Sequence, residues 1–178
     1  AEVTRATAAF VTERRAEIRA LHAAGESGGH TMRHLSETAD EVLRGALTFG
    51  LAGIVNPRNL MTRVSLAALG GYGRAELNPH SDLDVTLLYE GDLDERLEKL
   101  NAYLVPFLWD IGFDVGYTIR NVDETVELAR SDVRAFTSLL ESRLVAGDSS
   151  TYARLKLLVR DLQTSYVSNE FIEARVRE

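Results

Sequence analysis

Several features that would place this sequence in a special structural class are missing from its 178 residues. It contains no cysteine, which excludes disulfide bonds and thiolate zinc sites and fits a reducing compartment. No apolar run approaches the roughly 18 residues that a membrane-spanning helix needs, and the charged N-terminus does not resemble a signal peptide. The composition, 45% hydrophobic and 26% charged, is that of a globular protein. We therefore expect a cytoplasmic protein without membrane association.

The sequence also lacks the excess of basic residues that non-specific nucleic-acid binding requires. Its 20 Lys and Arg residues against 27 Asp and Glu residues leave a formal charge of −7, and no dense basic cluster is present to neutralise phosphates. This balance disfavours a polynucleotide partner. The chain begins at Ala1 rather than Met, and we expect it to be a piece of a longer protein.

Hydrophobic periodicity predicts helices at both ends of the chain and three short strands between them. The predicted helices cover 2–24, 31–51, 92–110, a short stretch through 128, 133–145, and the chain from 149 onward. The predicted strands cover 64–69, 83–89 and 114–120. We expect an α/β (α+β) fold, in which a core at 61–121 holds a small mixed sheet. Helical regions at 1–60 and 122–178 flank that sheet, and the three regions form one compact unit.

The segment between the first two predicted strands carries the pattern that indicates chemistry. The first strand ends at Gly70-Gly71, where glycine lets the backbone approach a phosphate, and a short helix with anion-binding N–H groups can begin within 72–77. Asp82 and Asp84 open the second strand and point the same way, with Cα atoms roughly 6.5 Å apart. Such a pair suits one or two Mg²⁺ ions that activate an attacking oxygen and neutralise a leaving pyrophosphate.

A second Asp-Leu-Asp tripeptide shows that the tripeptide alone has little meaning. Asp92-Leu93-Asp94 opens a predicted helix, and Glu95 follows Asp92 by three residues. This is the pattern of a capping box, in which Asp92 caps the helix and Glu95 reaches back. The order of strand, glycine pair, spacer and Ser-Asp-x-Asp is what indicates catalysis.

That order resembles the nucleotidyltransferases of the DNA polymerase β superfamily. Within it, the block from Gly70 to Asp84 and the segments 108–120 and 139–148 resemble the GlnD-type PII uridylyltransferases, so the likeness covers most of the chain. The resemblance implies a polymerase β-like fold. It also implies transfer of UMP from UTP to a tyrosine hydroxyl of the nitrogen-regulatory protein PII, with release of pyrophosphate and with Mg²⁺ or Mn²⁺ as cofactor.

The resemblance assigns roles to individual residues. Asp82 and Asp84 match the metal ligands, which are also the catalytic carboxylates. The residues that match the nucleotide-binding part of the motif are Gly70, Gly71, Arg74 and Ser81. The superfamily takes a third catalytic carboxylate from a neighbouring strand. On the third predicted strand, 114–120, Gly116 has no side chain. Asp114 lies on the same face of that strand and is therefore the candidate for the third carboxylate.

Two other functions remain compatible with the residues. The pocket that selects the base cannot be identified, so an adenylyltransferase of the same superfamily, acting on a protein or a small molecule, is one alternative. A non-catalytic regulatory domain that keeps the fold is the other, although the intact glycine and carboxylate pairs argue against it. Whole enzymes of the family continue into an HD-type phosphohydrolase domain and two glutamine-sensing domains. No His-Asp dipeptide occurs in this sequence, so we expect it to hold the transferase part alone.

Overall fold

The computed structural model describes residues 2–54 and 57–166, and within them the chain forms eight helices and four strands. The helices are α1 (Glu2–Ala23), α2 (Gly28–Ala52), α3 (Arg58–Met61), α4 (Gly70–Gly73), α5 (Glu95–Asp110), α6 (Val122–Ser131), α7 (Val133–Leu140) and α8 (Ser149–Tyr166). The strands are β1 (Val64–Ala68), β2 (Val85–Tyr89), β3 (Tyr117–Asn121) and β4 (Arg143–Gly147). The expectation of a mixed α and β fold is confirmed. None of the helices in the described ranges is long and apolar enough to cross a membrane.

The four strands form one mixed sheet in the order β3-β2-β1-β4. Strand β1 is antiparallel to β2 and to β4, whereas β2 and β3 are parallel. Ala68 pairs with Val85, and Val85 pairs with Tyr117. The end of β1 and the starts of β2 and β3 therefore meet at one end of the sheet, where the glycine and carboxylate pairs lie.

Helices from both ends of the chain cover the two faces of this sheet, as the hydrophobic pattern predicts. On one face Leu66 and Leu87 are fully buried in a core shared with α1, α2 and α5. On the other face Ala67 and Leu88 are buried against α6, α7 and α8. Burial on both faces explains why β1 and β2 read as continuous apolar runs rather than as alternating strands.

Strand β4 corrects the prediction of a helix over 133–145. Helix α7 ends at Leu140, and Arg143–Gly147 instead pairs with β1, with a register irregularity between Leu66 and Ala67. The residues of this segment include good helix formers, so local propensity favours a helix. Pairing with the free edge of β1 overrides that preference, because Val145 becomes buried and the ladder bonds of β1 are completed.

The start of α5 is a second correction. The N-cap is Asp94, whose carboxylate accepts a hydrogen bond from the backbone N–H of Leu97 at 3.0 Å. Asp94 also forms an ion pair with Arg63 at 2.7 Å. Glu95 pairs with Lys99 and does not reach back, so the predicted capping box of Asp92 and Glu95 is wrong. Arg63 is about 30 residues away from α5 in the sequence, so its ion pair with the N-cap residue Asp94 could not be read from the local pattern.

Candidate active site

The two carboxylates lie where the sheet ends, just before β2. Backbone hydrogen bonds to the neighbouring chain segments continue before the start of β2 at Val85. The backbone N–H of Leu69 donates to the carbonyl of Asp84 at 3.0 Å, and that of Leu83 donates to the carbonyl of Asp114 at 2.8 Å. Asp82 and Asp84 are therefore separated by one residue on an extended segment, and both side chains are exposed.

Gly116 shows that the two carboxylates converge on one face. A Cβ built at Gly116 would lie 3.5 Å from Oδ2 of Asp82, and it would overlap Oδ1 of Asp84. Both carboxylates therefore lie next to Gly116, and the absence of a side chain at Gly116 leaves room for the carboxylate of Asp84. With Asp84 in this position, residue 116 admits no side chain.

The electrostatics of this pair suit a bound cation. Although the residue is exposed overall, partial desolvation of its carboxylate raises the pKa of Asp84 above its usual value, and the nearby charge of Asp82 raises it further. A divalent ion would offset this repulsion, and carboxylate oxygens are the ligands that Mg²⁺ prefers. The donor set therefore fits the metal that the sequence predicts, with two protein carboxylates and the substrate phosphates completing the shell.

Asp114 lies in the segment that leads into β3, since that strand begins at Tyr117 rather than at residue 114 as predicted. Its backbone carbonyl accepts the bond from Leu83, and its side chain is exposed. Within 2–54 and 57–166, no group of three or more His, Asp or Glu side chains is arranged to hold a metal ion. The role of Asp114 as third catalytic carboxylate stays a prediction.

Gly70 begins the turn that leads from β1 to the carboxylates. Its φ of +53° is in the left-handed region, which favours glycine. A Cβ at Gly70 would lie 3.6 Å from Oδ2 of Asp84, so bare backbone faces that carboxylate. Helix α4 begins here, at Gly70, rather than within 72–77 as predicted.

The glycines that follow Gly70 have different roles. A Cβ at Gly71 would lie 3.5 Å from the carbonyl of Glu76, which is ordinary contact distance. A Cβ at Gly73 would overlap the carbonyl oxygen of Glu141 and lie 3.1 Å from that of Ala68. Gly73 is therefore required by packing, whereas Gly71 is free to serve a ligand.

This contrast leads to a prediction for Gly71→Val. We expect the variant to melt close to the parent while binding UTP at least about tenfold more weakly, because the added methyl groups occupy space beside the backbone. Calorimetric titration and thermal melts measure the two effects. Gly73→Ala is the matched control, and its main effect should be a lower melting temperature. If Gly71→Val binds UTP as the parent does, the assignment of the phosphate loop is wrong.

Arg74 and Ser81, both predicted to bind nucleotide, have protein partners in the structure. Arg74 pairs with Glu76 at 2.8 Å and with Glu141 at 2.6 Å, and these contacts raise the pKa of its guanidinium, Glu76 having the larger effect. The hydroxyl of Ser81 donates to the carbonyl of Asn78 at 3.3 Å within the turn. A triphosphate would compete with two carboxylates for Arg74. The nucleotide-binding roles of both residues stay predictions.

A partly buried ionic network lies behind the glycine turn, and the sequence pattern did not predict it. Tyr72, buried between Gly71 and Gly73, donates its hydroxyl to Oδ1 of Asp40 on α2 at 2.6 Å. Arg143 on β4 donates to both oxygens of Asp40, at 2.6 and 2.9 Å. The sequence signal was a charged residue, Asp40, next to Ala39 and Val42 in the apolar stripe of a helix. The network ties the turn to α2 and β4.

Ala75 has a φ of +58° and is the non-glycine residue with positive φ in the described chain. A left-handed L-residue costs roughly 1–2 kcal/mol, and the greater freedom of glycine in the unfolded chain offsets roughly 0.5–1 kcal/mol of that. We expect Ala75→Gly to raise the free energy of unfolding by about 0.5–1 kcal/mol, measured by urea denaturation. Ala153→Gly, at an exposed position within α8, should instead lower it. A loss of stability in Ala75→Gly would contradict the strain at this residue.

Comparison with known proteins finds relatives that match most of the chain. No protein-family model matches the chain. The bifunctional uridylyltransferase/uridylyl-removing enzyme of Caulobacter vibrioides is 35% identical over 156 residues, which are 86% of this chain and 17% of that protein. The protein of the same name from Burkholderia mallei is 34% identical over 176 residues, 93% of this chain and 19% of that protein. The one from Hydrogenovibrio crunogenus is 39% identical over 116 residues, 65% and 13% of the two chains.

The chain spans less than a fifth of the length of these relatives. The part that matches includes the glycine turn, the carboxylate pair and most of the surrounding helices. Over most of its own length the chain is thus related in sequence to a segment of the proteins named bifunctional uridylyltransferase/uridylyl-removing enzyme.

Proposed function

We propose that this chain is a nucleotidyltransferase domain that transfers UMP from UTP to a tyrosine hydroxyl of the PII signal protein. The observation that carries the proposal is the convergence of Asp82 and Asp84 over Gly116, beside the bare backbone of Gly70. The relatives are named as uridylyltransferases, which supports UTP as the nucleotide. PII as acceptor rests on the family resemblance.

The residues divide the work of the reaction. Asp82 and Asp84 would hold Mg²⁺ or Mn²⁺, and the bound ion would supply charge neutralisation for the leaving pyrophosphate and acidification of the attacking hydroxyl. The backbone at Gly70 and Gly71 admits the triphosphate close to these carboxylates. Asp114, in the segment that leads into β3, is the candidate acceptor for the proton of the tyrosine hydroxyl. The phenolic oxygen forms the new bond to the α-phosphorus as the bond to pyrophosphate breaks.

Two measurements test the proposal. Calorimetric titration of the chain with UTP and with ATP, each with Mg²⁺, should show binding of UTP and weaker binding of ATP. Incubation with PII and UTP labelled in the α-phosphate should transfer label to PII, and omission of the metal should abolish the transfer. Tighter binding of ATP would favour an adenylyltransferase. Binding of neither nucleotide would favour a regulatory domain, and either result would overturn the proposal.

A further inference from the structure

A small cavity lies on the face of the sheet to which the carboxylate pair belongs, with a mostly apolar lining and a few polar side chains on its floor. It has a volume of about 100 Å³, and its floor includes Thr86 on β2 with Thr118 and Arg120 on β3. Leu69, which precedes Gly70, lines one side, and Ser138 on α7 is part of the roof. Thr86 follows Asp84 by two residues on an extended chain, so their Cα atoms are roughly 6.5 Å apart and their side chains share a face.

Two polar groups in this cavity have hydrogen-bonding capacity that the described protein leaves unused. Thr86 is 1% exposed, and its hydroxyl has no hydrogen-bond partner. A buried hydroxyl without a partner is costly and calls for a physical explanation. Arg120 is half-buried, and its guanidinium makes no hydrogen bond or ion pair to a residue within 2–54 or 57–166. Both groups line this cavity, and Thr86 follows Asp84 by two residues on the same extended segment.

We infer that this cavity binds the uracil ring of the UTP substrate, an inference that rests on the proposed function. At about 100 Å³ the cavity is smaller than the roughly 150 Å³ that encloses benzene, so it takes the polar edge of one pyrimidine ring while the rest of the nucleotide stays outside. Uracil presents two carbonyl oxygens and one N–H. Arg120 only donates hydrogen bonds and therefore suits the carbonyls, whereas the hydroxyl of Thr86 both donates and accepts. Cytosine and adenine carry an exocyclic amino group that would face the donors of Arg120.

The acceptor tyrosine fits this cavity less well than the base does. Its hydroxyl must lie at the carboxylates to react, so its ring would present only C–H groups to Thr86 and Arg120. In UTP, in contrast, the ribose separates the base from the α-phosphate, so the polar edge of the pyrimidine ring is at a distance from the reacting phosphate. The base therefore satisfies the two polar groups while the phosphate remains at Asp82 and Asp84.

The test separates binding of the base from binding of the triphosphate. The probes are UTP and inorganic tripolyphosphate, each with Mg²⁺, titrated calorimetrically into the chain and its variants. In Thr86→Val we expect UTP to bind about tenfold more weakly and tripolyphosphate to bind unchanged. The variant should melt at the same or a higher temperature than the parent, because the unpartnered hydroxyl is gone. In Arg120→Gln we expect the preference for UTP over CTP to fall.

The matched control is Thr137→Val on α7. Its hydroxyl already donates to the carbonyl of Val133 at 2.9 Å, and it does not line the cavity, so UTP binding should stay at the parent value. If Thr86→Val binds UTP as the parent does, or loses UTP and tripolyphosphate equally, the inference is overturned while the proposed function stands. A much lower melting temperature for Thr86→Val would also overturn it, since the hydroxyl would then have a protein partner. If the parent binds neither UTP nor tripolyphosphate, the proposed function itself is overturned, and the inference is overturned with it.

Discussion

Asp84→Asn should lower the rate of UMP transfer to PII at least a hundredfold. Asparagine keeps the shape and one oxygen of the side chain but removes the charge that fixes a divalent ion against a triphosphate. Losing a transition-state contact of this kind costs on the order of 3 kcal/mol, which corresponds to that loss in rate. The measurement is single-turnover transfer of labelled UMP with saturating UTP and Mg²⁺.

Asp94→Asn, in the second Asp-Leu-Asp tripeptide, is the control. Asp94 caps α5 and pairs with Arg63, so its replacement should affect stability and leave the transfer rate unchanged. Equal effects of the two substitutions on the rate, or full activity of Asp84→Asn, would show that the two-carboxylate metal site does not exist as described.

The stability of Asp84→Asn provides an independent readout through its dependence on pH. The pKa of Asp84 in the folded chain is raised above the usual 3.8, so the folded state holds that proton more tightly than the unfolded state does. The resulting stabilisation is fully present below 3.8 and is lost as the pH rises through the folded pKa. Asp84→Asn should lack this component, and at neutral pH the metal-free variant should be no less stable than the parent in urea.

Asp40→Ala should cost about 3 kcal/mol or more of folding free energy, because it breaks a buried ion pair from one side. Asp40 is 8% exposed and accepts hydrogen bonds from Tyr72 and from both terminal nitrogens of Arg143. Its removal leaves the Tyr72 hydroxyl, in a side chain only 2% exposed, without this acceptor. Because Tyr72 lies between Gly71 and Gly73, UTP binding should weaken as well. Urea denaturation measures the first effect and calorimetry the second.

A surface ion pair of equal length is the control for this prediction. Arg154 and Asp123 are also 2.6 Å apart, but their side chains are 41% and 68% exposed. Exposed pairs contribute roughly 0–1 kcal/mol, so Asp123→Ala should stay below about 1 kcal/mol. If Asp40→Ala costs no more than Asp123→Ala, the network does not stabilise the glycine turn.

The features that the sequence predicted correctly are those set by neighbouring residues. The apolar runs that contain β1 and β2 identify these strands because both of their faces are buried. The alternation of strand side chains predicts that Asp82 and Asp84 share a face, and their common approach to Gly116 agrees with it. The glycine turn follows from Gly70, whose positive φ few other residues adopt without strain.

The features that the sequence did not predict depend on residues far apart in the chain. Strand β4 exists because β1 has a free edge, and no pattern within Arg143–Gly147 reports that edge. Asp40 and Arg143 form their pair across the fold, and each one alone reads as an ordinary charged residue. The unpartnered hydroxyl of Thr86 becomes visible only when two helices cover the sheet.

The strand order has a consequence for how the chain acquires its structure during synthesis. The pairing of β1 with β2 joins residues 68 and 85, whereas its pairing with β4 joins residues 65 and 147. The short closure carries a smaller entropic cost and precedes the long one. A nascent chain can therefore bring the two carboxylates next to the glycine turn while the other edge of β1 is still unpaired. An open apolar edge is a template for pairing with other chains, so the interval before residue 147 emerges is when this segment is most exposed to aggregation.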